Sequence, residues 1–457
     1  MLEILAGRLL APYVGVSLET FTGIIGVVLA GIALGSWAGG ALSDRRDARK
    51  MIGAALTAGG ALAWLSLPII SALGPQFDDG AVAITLLSFM SLFLPAAVLS
   101  AVGPMVAKLQ LGDLSETGAI VGGLSAAGTM GALVGTFVTG FLLVSALPTR
   151  ITVIAIGVVL VLAGAATHGH LAKTMPTAGS LVMLLFSGAL GVTSSQPCDH
   201  VTSYFCANVV IDEDVETGRS LYLDGLRHAY VDLNDPTNLD IRYIRLFAQV
   251  SDALPNGSLN SLHIGGGGMS FPRYLEAVRP GSTDLVLEID QALVDLVEAE
   301  LGLAQSEALQ VQVGDARLAL DGIDDDQFDL VVGDAFASRS VPWHLTTNEF
   351  LTKVDRVLRV DGVYVMNIID GGDFNFVRAE VATLDQVFTY VQAIIPQGGL
   401  AGLSTTNVLL VASQQPLPAV AIAEEDGVLL SGAETRELMG EASALRDDFA
   451  PVDQLQQ

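Results

Sequence analysis

The chain has 457 residues, with 22 Lys/Arg against 49 Asp/Glu and a formal net charge of −27. Residues 1–195 hold eight basic and eight acidic residues, whereas residues 196–457 hold 14 basic and 41 acidic ones. A neutral apolar half followed by an acidic half excludes a single soluble domain, and the acidity argues against nucleic acid or anionic lipid as a partner of the second half.

Apolar runs of ~20 residues are long enough to span a bilayer. Such runs lie near 20–42, 51–73, 81–108, 118–147, 151–168 and 179–195. Met1 to Val16 makes a seventh that is short and contains Glu3 and Arg8. Its abrupt start inside an apolar helix reads as a truncated first span. No basic leader precedes it, which argues against a signal peptide. Gly31, Gly35 and Gly39, and later Gly131 and Gly135, recur at four-residue spacing. In lipid this spacing predicts close helix packing. The spans carry no mid-membrane charge between 51 and 107 or between 118 and 147, which argues against a coupled transporter.

The densest basic loop, Ser43 to Lys50, reads as cytoplasmic by the positive-inside rule. The stretch from Gly40 to Arg46 resembles the loop between helices two and three of major facilitator transporters. Alternation from this loop leaves 74–80, with Asp78 and Asp79, outside. It also delivers the second half to the extracytoplasmic side. Cys198 and Cys206 follow directly. Eight residues apart, they suit either a disulfide in an oxidising compartment or two free structural thiols. Only His200 is nearby, so the spacing does not suit zinc.

Beyond the spans, Tyr204 to Asp212 and Arg219 to Val231 read as a small β-hairpin layer, and Asn238 to Leu254 as a helix. Leu262 to Ile264 is a short buried strand. Gly265, Gly266, Gly267 and Gly268 follow it, then a helix over 269–279 and a strand over 285–289 that carries Glu288. A strand, glycine loop, helix, strand and terminal acid form the first half of a nucleotide-binding βαβ unit. Ala292 to Leu301 predicts the next helix. Strands over 309–313 and 328–332 end in Gly314-Asp315-Ala316 and Gly333-Asp334. A helix over 348–358, a strand over 362–369, a helix over 374–388 and strands over 391–395 and 407–412 complete the sheet.

Three acids thus fall at the carboxyl ends of successive strands, the edge where open α/β sheets bind ligands. Glu288 suits both ribose hydroxyls. Asp315 suits an adenine amino group beside the Ala316 backbone, and equally a helix N-cap. Asp334 stands where a reacting group would lie and suits orienting or deprotonating an amine; the alternative is a turn residue. Nothing has the spacing of a metal cluster. His200, His263 and His344 read as structural.

At these residues the chain resembles the spermidine synthase family, and especially its membrane-fused members. The matches are Leu223-Asp224-Gly225, Tyr243, Ile264 to Gly267, Glu288-Ile289-Asp290, Gly314-Asp315-Ala316, Asp329 to Asp334, Leu345 with Glu349-Phe350, and the tail from Asp447 to Val452. The apolar runs give a multi-pass α-helical membrane domain (1–195), and the resemblance implies a small β-hairpin and helix layer (196–255) after it. A Rossmann-like methyltransferase/spermidine synthase-type domain (256–415) and a C-terminal tail (416–457) follow. It implies decarboxylated S-adenosylmethionine, or S-adenosylmethionine, as co-substrate, with no metal. Gly265, Gly266, Gly267, Glu288, Asp290, Asp315 and Ala316 would hold it. It implies an amine acceptor contacted by Asp224, His228, Tyr243 and Asp447 or Asp448, and catalysis by Asp334. The bilayer is the other expected partner, and a homodimer stays open.

The chain departs from that pattern on the acceptor side. His228 stands where the family has glutamine, Arg245 and Gly268 where it has acids, and Ala337 where it has a second aspartate. A diamine is a dication and needs carboxylates, so the donor side is kept better than the acceptor side. Three readings remain: an aminopropyltransferase-like enzyme, an S-adenosylmethionine-dependent transferase with a non-diamine acceptor, and a non-catalytic or transport-coupled module that binds a nucleoside or polyamine.

Overall fold

The structure is a computed structural model that describes residues 1–456 except 16, 78–79, 112–116, 173–177, 337–340, 402 and 404. Asp78, Asp79 and Ala337 therefore lie outside the described residues. The chain divides into two compact units, Met1–Cys206 and Ala207–Gln457.

The first unit is helical. Five helices are long and apolar enough to cross a membrane: Leu18–Ser43, Ala48–Gln76, Ala81–Gln110, Thr117–Leu143 and Thr149–Leu171. The segments expected to span at either end form shorter helices, Leu2–Val14 with 13 residues and an apolar stretch Val182–Thr193. The first small-residue stripe is a packing surface. A Cβ on Gly31, Gly35 or Gly39 would come within 2.9, 2.0 or 2.6 Å of the carbonyl oxygens of Phe93, Ala97 and Ala101. Only glycine lets those two backbones approach so closely. The second stripe packs differently from expectation. Gly131 has nothing within 4 Å of its virtual Cβ, and Gly135 meets only the Met1 side chain. Its helix, Thr117–Phe137, buries no residue. Cys198 and Cys206 are disulfide-bonded, their Cα atoms 5.5 Å apart, within the range a disulfide needs.

The second unit opens with an antiparallel layer of β1 (Cys206–Ile211), β2 (Gly218–Leu223) and β3 (Leu226–Asp232). The stretch Arg219 to Val231 is thus two strands. Asp224 and Gly225 turn between them with φ of 49° and 80°, the left-handed pair that a two-residue hairpin requires. Helix α1 (Arg242–Ala253) follows. The elements after it are β4 (Asn260–Ile264), α2 (Ser270–Val278), β5 (Thr283–Glu288), α3 (Gln291–Glu300), β6 (Leu309–Val313), α4 (Ala316–Leu320), β7 (Phe328–Gly333), α5 (Asn348–Val357), β8 (Leu358–Asp370), α6 (Asn375–Val387), β9 (Tyr390–Ile395), β10 (Thr406–Ser413), β11 (Val428–Leu429) and α7 (Gly432–Met439).

The eight-stranded sheet runs β11-β9-β10-β8-β7-β4-β5-β6. Strands β6, β5, β4, β7 and β8 are parallel, and β10 runs antiparallel to β8 and β9. The strand order reverses between β4 and β7, so the crevice at their carboxyl ends is the expected ligand edge. Alternation along the strands builds two cores. Leu262, Val331, Tyr364, Met366 and Leu410 pack with α5 and α6 on one face. Leu330, Val332, Val363, Val365 and Leu409 pack with α1 and α2 on the other. The last forty residues belong to this unit: β11 pairs with β9, and Leu445 and Val452 are buried in the first core.

Candidate functional site

The glycine loop is tied to the strand edge by Glu288. Gly265 has φ +93°, and a Cβ there would lie 2.5 Å from the Asp334 carbonyl oxygen, so the loop closes against β7 only with glycine at that position. The Gly266 N–H donates to Glu288 Oε2 at 2.9 Å, and the Asp290 N–H donates to Oε1 at 3.0 Å. Burial raises the Glu288 carboxyl, opposed by those two N–H groups. Each oxygen keeps a lone pair, so the group fits paired hydroxyl donors. Asp290 is buried and caps α3 through Ala292 N–H at 3.1 Å.

Asp315 accepts the Leu318 N–H at 3.1 Å as N-cap of α4. Its other oxygen lies 3.2 Å from His344 Nε2. Capping and ligand contact remain compatible on this edge. Ala316, the first residue of that helix, is buried beneath it.

Asp334 follows β7. Its N–H donates to the Ile264 carbonyl at 2.9 Å, and its Oδ1 accepts from Asn367 Nδ2 at 2.8 Å. Burial pushes its carboxyl up to about 7, against hydrogen bonds from Asn367 and Tyr243 that lower it. The Tyr243 hydroxyl also donates to the His228 carbonyl at 2.8 Å, so one proton faces two acceptors. Burial, with the Asp334 charge next, raises that hydroxyl well above its ordinary value. A carboxyl poised near neutrality in a cleft is the pattern of an acid–base group. Sequence reasoning missed Asn367. The signal was available: it is the only polar side chain in the apolar run of β8 from Val363 to Ile369 apart from Tyr364.

The cleft beside Asp334 is lined by His228, Ala229, Tyr243, Phe247, Phe271 and the four glycines, among others. His263 also lines it and is buried with Ser261 and Asp284; its Nε2 lies 2.8 Å from Ser261 Oγ and 2.9 Å from Asp284 Oδ1. One ring nitrogen meets both partners, so the three do not form a relay of the Ser-His-Asp kind.

Asp224 and Asp447 are not among the residues that line that cleft. Asp224 occupies the hairpin turn. Asp447 is gripped by both Arg317 guanidinium nitrogens at 2.7 and 2.5 Å and by Thr347 Oγ1 at 2.8 Å. Those bonds hold its carboxyl below the ordinary range, the Arg317 hydrogen bond most of all. It clasps the C-terminal segment, while Asp448 is exposed beside it. Arg245 also points away from the acceptor role. Its Nε and Nη2 bind Asp426 Oδ1 at 2.9 and 2.6 Å, and Gln249 holds the other oxygen at 2.6 Å.

A switched parallel sheet with this edge defines a Rossmann-like fold of the methyltransferase and spermidine synthase type. In structure, the chain is similar to a probable spermidine synthase from Corynebacterium glutamicum ATCC 13032. The TM-score is 0.51 at 24% identity, over 54% of this chain and 95% of that one. In sequence, it is 34% identical over 108 residues to the polyamine aminopropyltransferase of Vibrio vulnificus (strain CMCP6), covering 23% of this chain and 36% of that protein. It is 28% identical over 143 residues to a probable polyamine aminopropyl transferase of Bifidobacterium longum (strain NCC 2705), covering 31% of each chain. The chain spans about a third of the length of these curated relatives. No protein-family model matches it.

Proposed function

We propose that the protein is a membrane-anchored transferase of the spermidine synthase type. It moves the aminopropyl group of decarboxylated S-adenosylmethionine to an amine acceptor. The observation that carries this reading is Asp334, poised near neutrality beside the loop that Glu288 holds. Glu288 would receive the ribose hydroxyls, with Asp290 fixing the strand end behind it. Asp315 and the Ala316 N–H would meet the adenine edge. The acceptor nitrogen attacks the carbon next to the sulfonium, the carbon–sulfur bond breaks, and the thioether leaves neutral. Asp334 takes the proton that the nitrogen sheds. The homology to polyamine aminopropyltransferases supports the class of reaction.

The Cys198–Cys206 disulfide favours an oxidising compartment for the segment after the last helix. That observation supports a second reading, in which the α/β unit faces away from the cytosol and binds a nucleoside or polyamine without turnover. Titration calorimetry of the full chain in detergent, with decarboxylated and ordinary S-adenosylmethionine, separates these. Binding of the decarboxylated donor with release of its thioether on adding amine supports the transferase. Donor binding without release supports the second reading, and binding of neither donor to the folded chain removes the transferase.

A further inference from the structure

The acceptor half of the cleft differs in charge from a site built for a diamine. Asp334 is the only carboxylate among the described residues that line it. Position 268 has no room for one, since a Cβ there would lie 2.4 Å from the Ala229 Cβ. An acidic side chain at 268 therefore requires Ala229 to move. Arg245 neither supplies nor cancels charge in the cleft, because Asp426 consumes it. A cavity of about 30 Å³ lies beside Asp334, room for a small polar group.

His228 supplies a buried polar atom without a partner among the described residues. It lines the cleft, and the atom is its Nε2. A buried polar atom left unsatisfied is costly, so this nitrogen calls for a partner. Burial lowers the imidazole to about 4, so it is neutral at physiological pH. A neutral imidazole offers a hydrogen bond but no counter-charge for a second ammonium.

We infer that the acceptor carries a single basic amine on an otherwise uncharged body, and that His228 is the specificity-determining residue on that side. This rests on the transferase reading above. The amine head sits at Asp334, and the unpartnered His228 nitrogen meets the acceptor's neutral part. A diamine would leave its second ammonium desolvated without a carboxylate, which costs more than one hydrogen bond returns.

The test compares butylamine with 1,4-diaminobutane, which have the same chain length and differ by one charge. The whole 457-residue chain in detergent is supplied with decarboxylated S-adenosylmethionine, and thioether release is followed. The expected result is a kcat/KM for butylamine at least equal to that for the diamine. His228→Glu should swing the ratio toward the diamine by tenfold or more, and His228→Gln should leave it unswung. A tenfold wild-type preference for the diamine overturns the inference, as does release with neither amine while donor binds. Loss of donor binding in the folded wild type overturns the transferase reading first. If His228→Glu fails to bind donor, the wild-type and His228→Gln ratios decide.

Discussion

Asn367 Nδ2 donates to Asp334 Oδ1 at 2.8 Å, and Asn367 Oδ1 accepts in turn from Asn407 Nδ2 at 3.0 Å. The chain continues: Arg242 binds the Asn407 carbonyl at 3.0 Å and the Asp426 carbonyl at 2.6 Å. Asp426 is the residue that also holds Arg245 and Gln249. A polar thread therefore runs from the proposed catalytic carboxyl, across β8 and β10, to the C-terminal segment. Asn367 is its first member and has its amide fixed at both ends, which orients the carboxyl as well as stabilising its charge.

Removing that donor has a signed consequence. A hydrogen bond to the ionised carboxylate favours the charged form, so Asn367→Leu moves the Asp334 carboxyl further above 7. Activity needs the deprotonated form. The acidic limb of the kcat/KM profile should move upward by about one to two pH units, with rate recovered toward pH 9. An unmoved limb in the folded variant would sink the positioning role.

Asp334→Asn tests the acid itself. The amide keeps the shape but accepts no proton. Turnover should fall by about 10²–10⁴, the usual worth of a general base, while calorimetric donor affinity changes little. Retained turnover would remove Asp334 from the chemistry.

Much of this site was legible in the sequence because its signals are local. The strand, glycine loop and Glu288 lie within thirty residues, and the alternating apolar strands announce the sheet. Asp315 and Asp334 were legible as strand-end acids for the same reason. The thread behind Asp334 was not, since Asn367, Asn407 and Asp426 are brought together only by pairing β8 with β10. Asp447 misled for a related reason: an acid in the tail says nothing of Arg317, 130 residues earlier, that claims it. Strand β11 is two residues long and carries no period. The second glycine stripe shows the converse, because small residues permit close packing without supplying a neighbour.

Glu380 on α6 is buried in the α/β unit, and neither carboxylate oxygen has a hydrogen-bond partner among the described residues. Burial raises it well above the ordinary carboxyl value. The folded form therefore binds a proton that the unfolded chain releases near 4.5. Its contribution to stability is present below that pH and is lost as pH rises toward the folded value. Glu380→Met removes the desolvation cost at similar volume. It should stabilise the protein by about 1–3 kcal/mol at pH 8, with less gain at pH 4.5. Thermal unfolding of the full chain at both pH values measures this; equal gains at both would show that the carboxyl's charge is not the cause.

The disulfide fixes what a topology experiment should find. Cys198 and Cys206 are the only cysteines in the chain, so thiol labelling reads one pair without mutagenesis. In unreduced intact cells, a maleimide that crosses membranes should leave both unlabelled, and labelling should appear after reduction. A disulfide persists in oxidising compartments and is reduced in the cytosol, so that outcome places the segment after Thr193 on the extracytoplasmic side. A C-terminal reporter active only outside the cytosol should then fluoresce or turn over. Free thiols in unreduced cells, with a reporter active in the cytosol, would reverse the assignment. That result would also strengthen the transferase reading, because the donor would then be met in the cytosol.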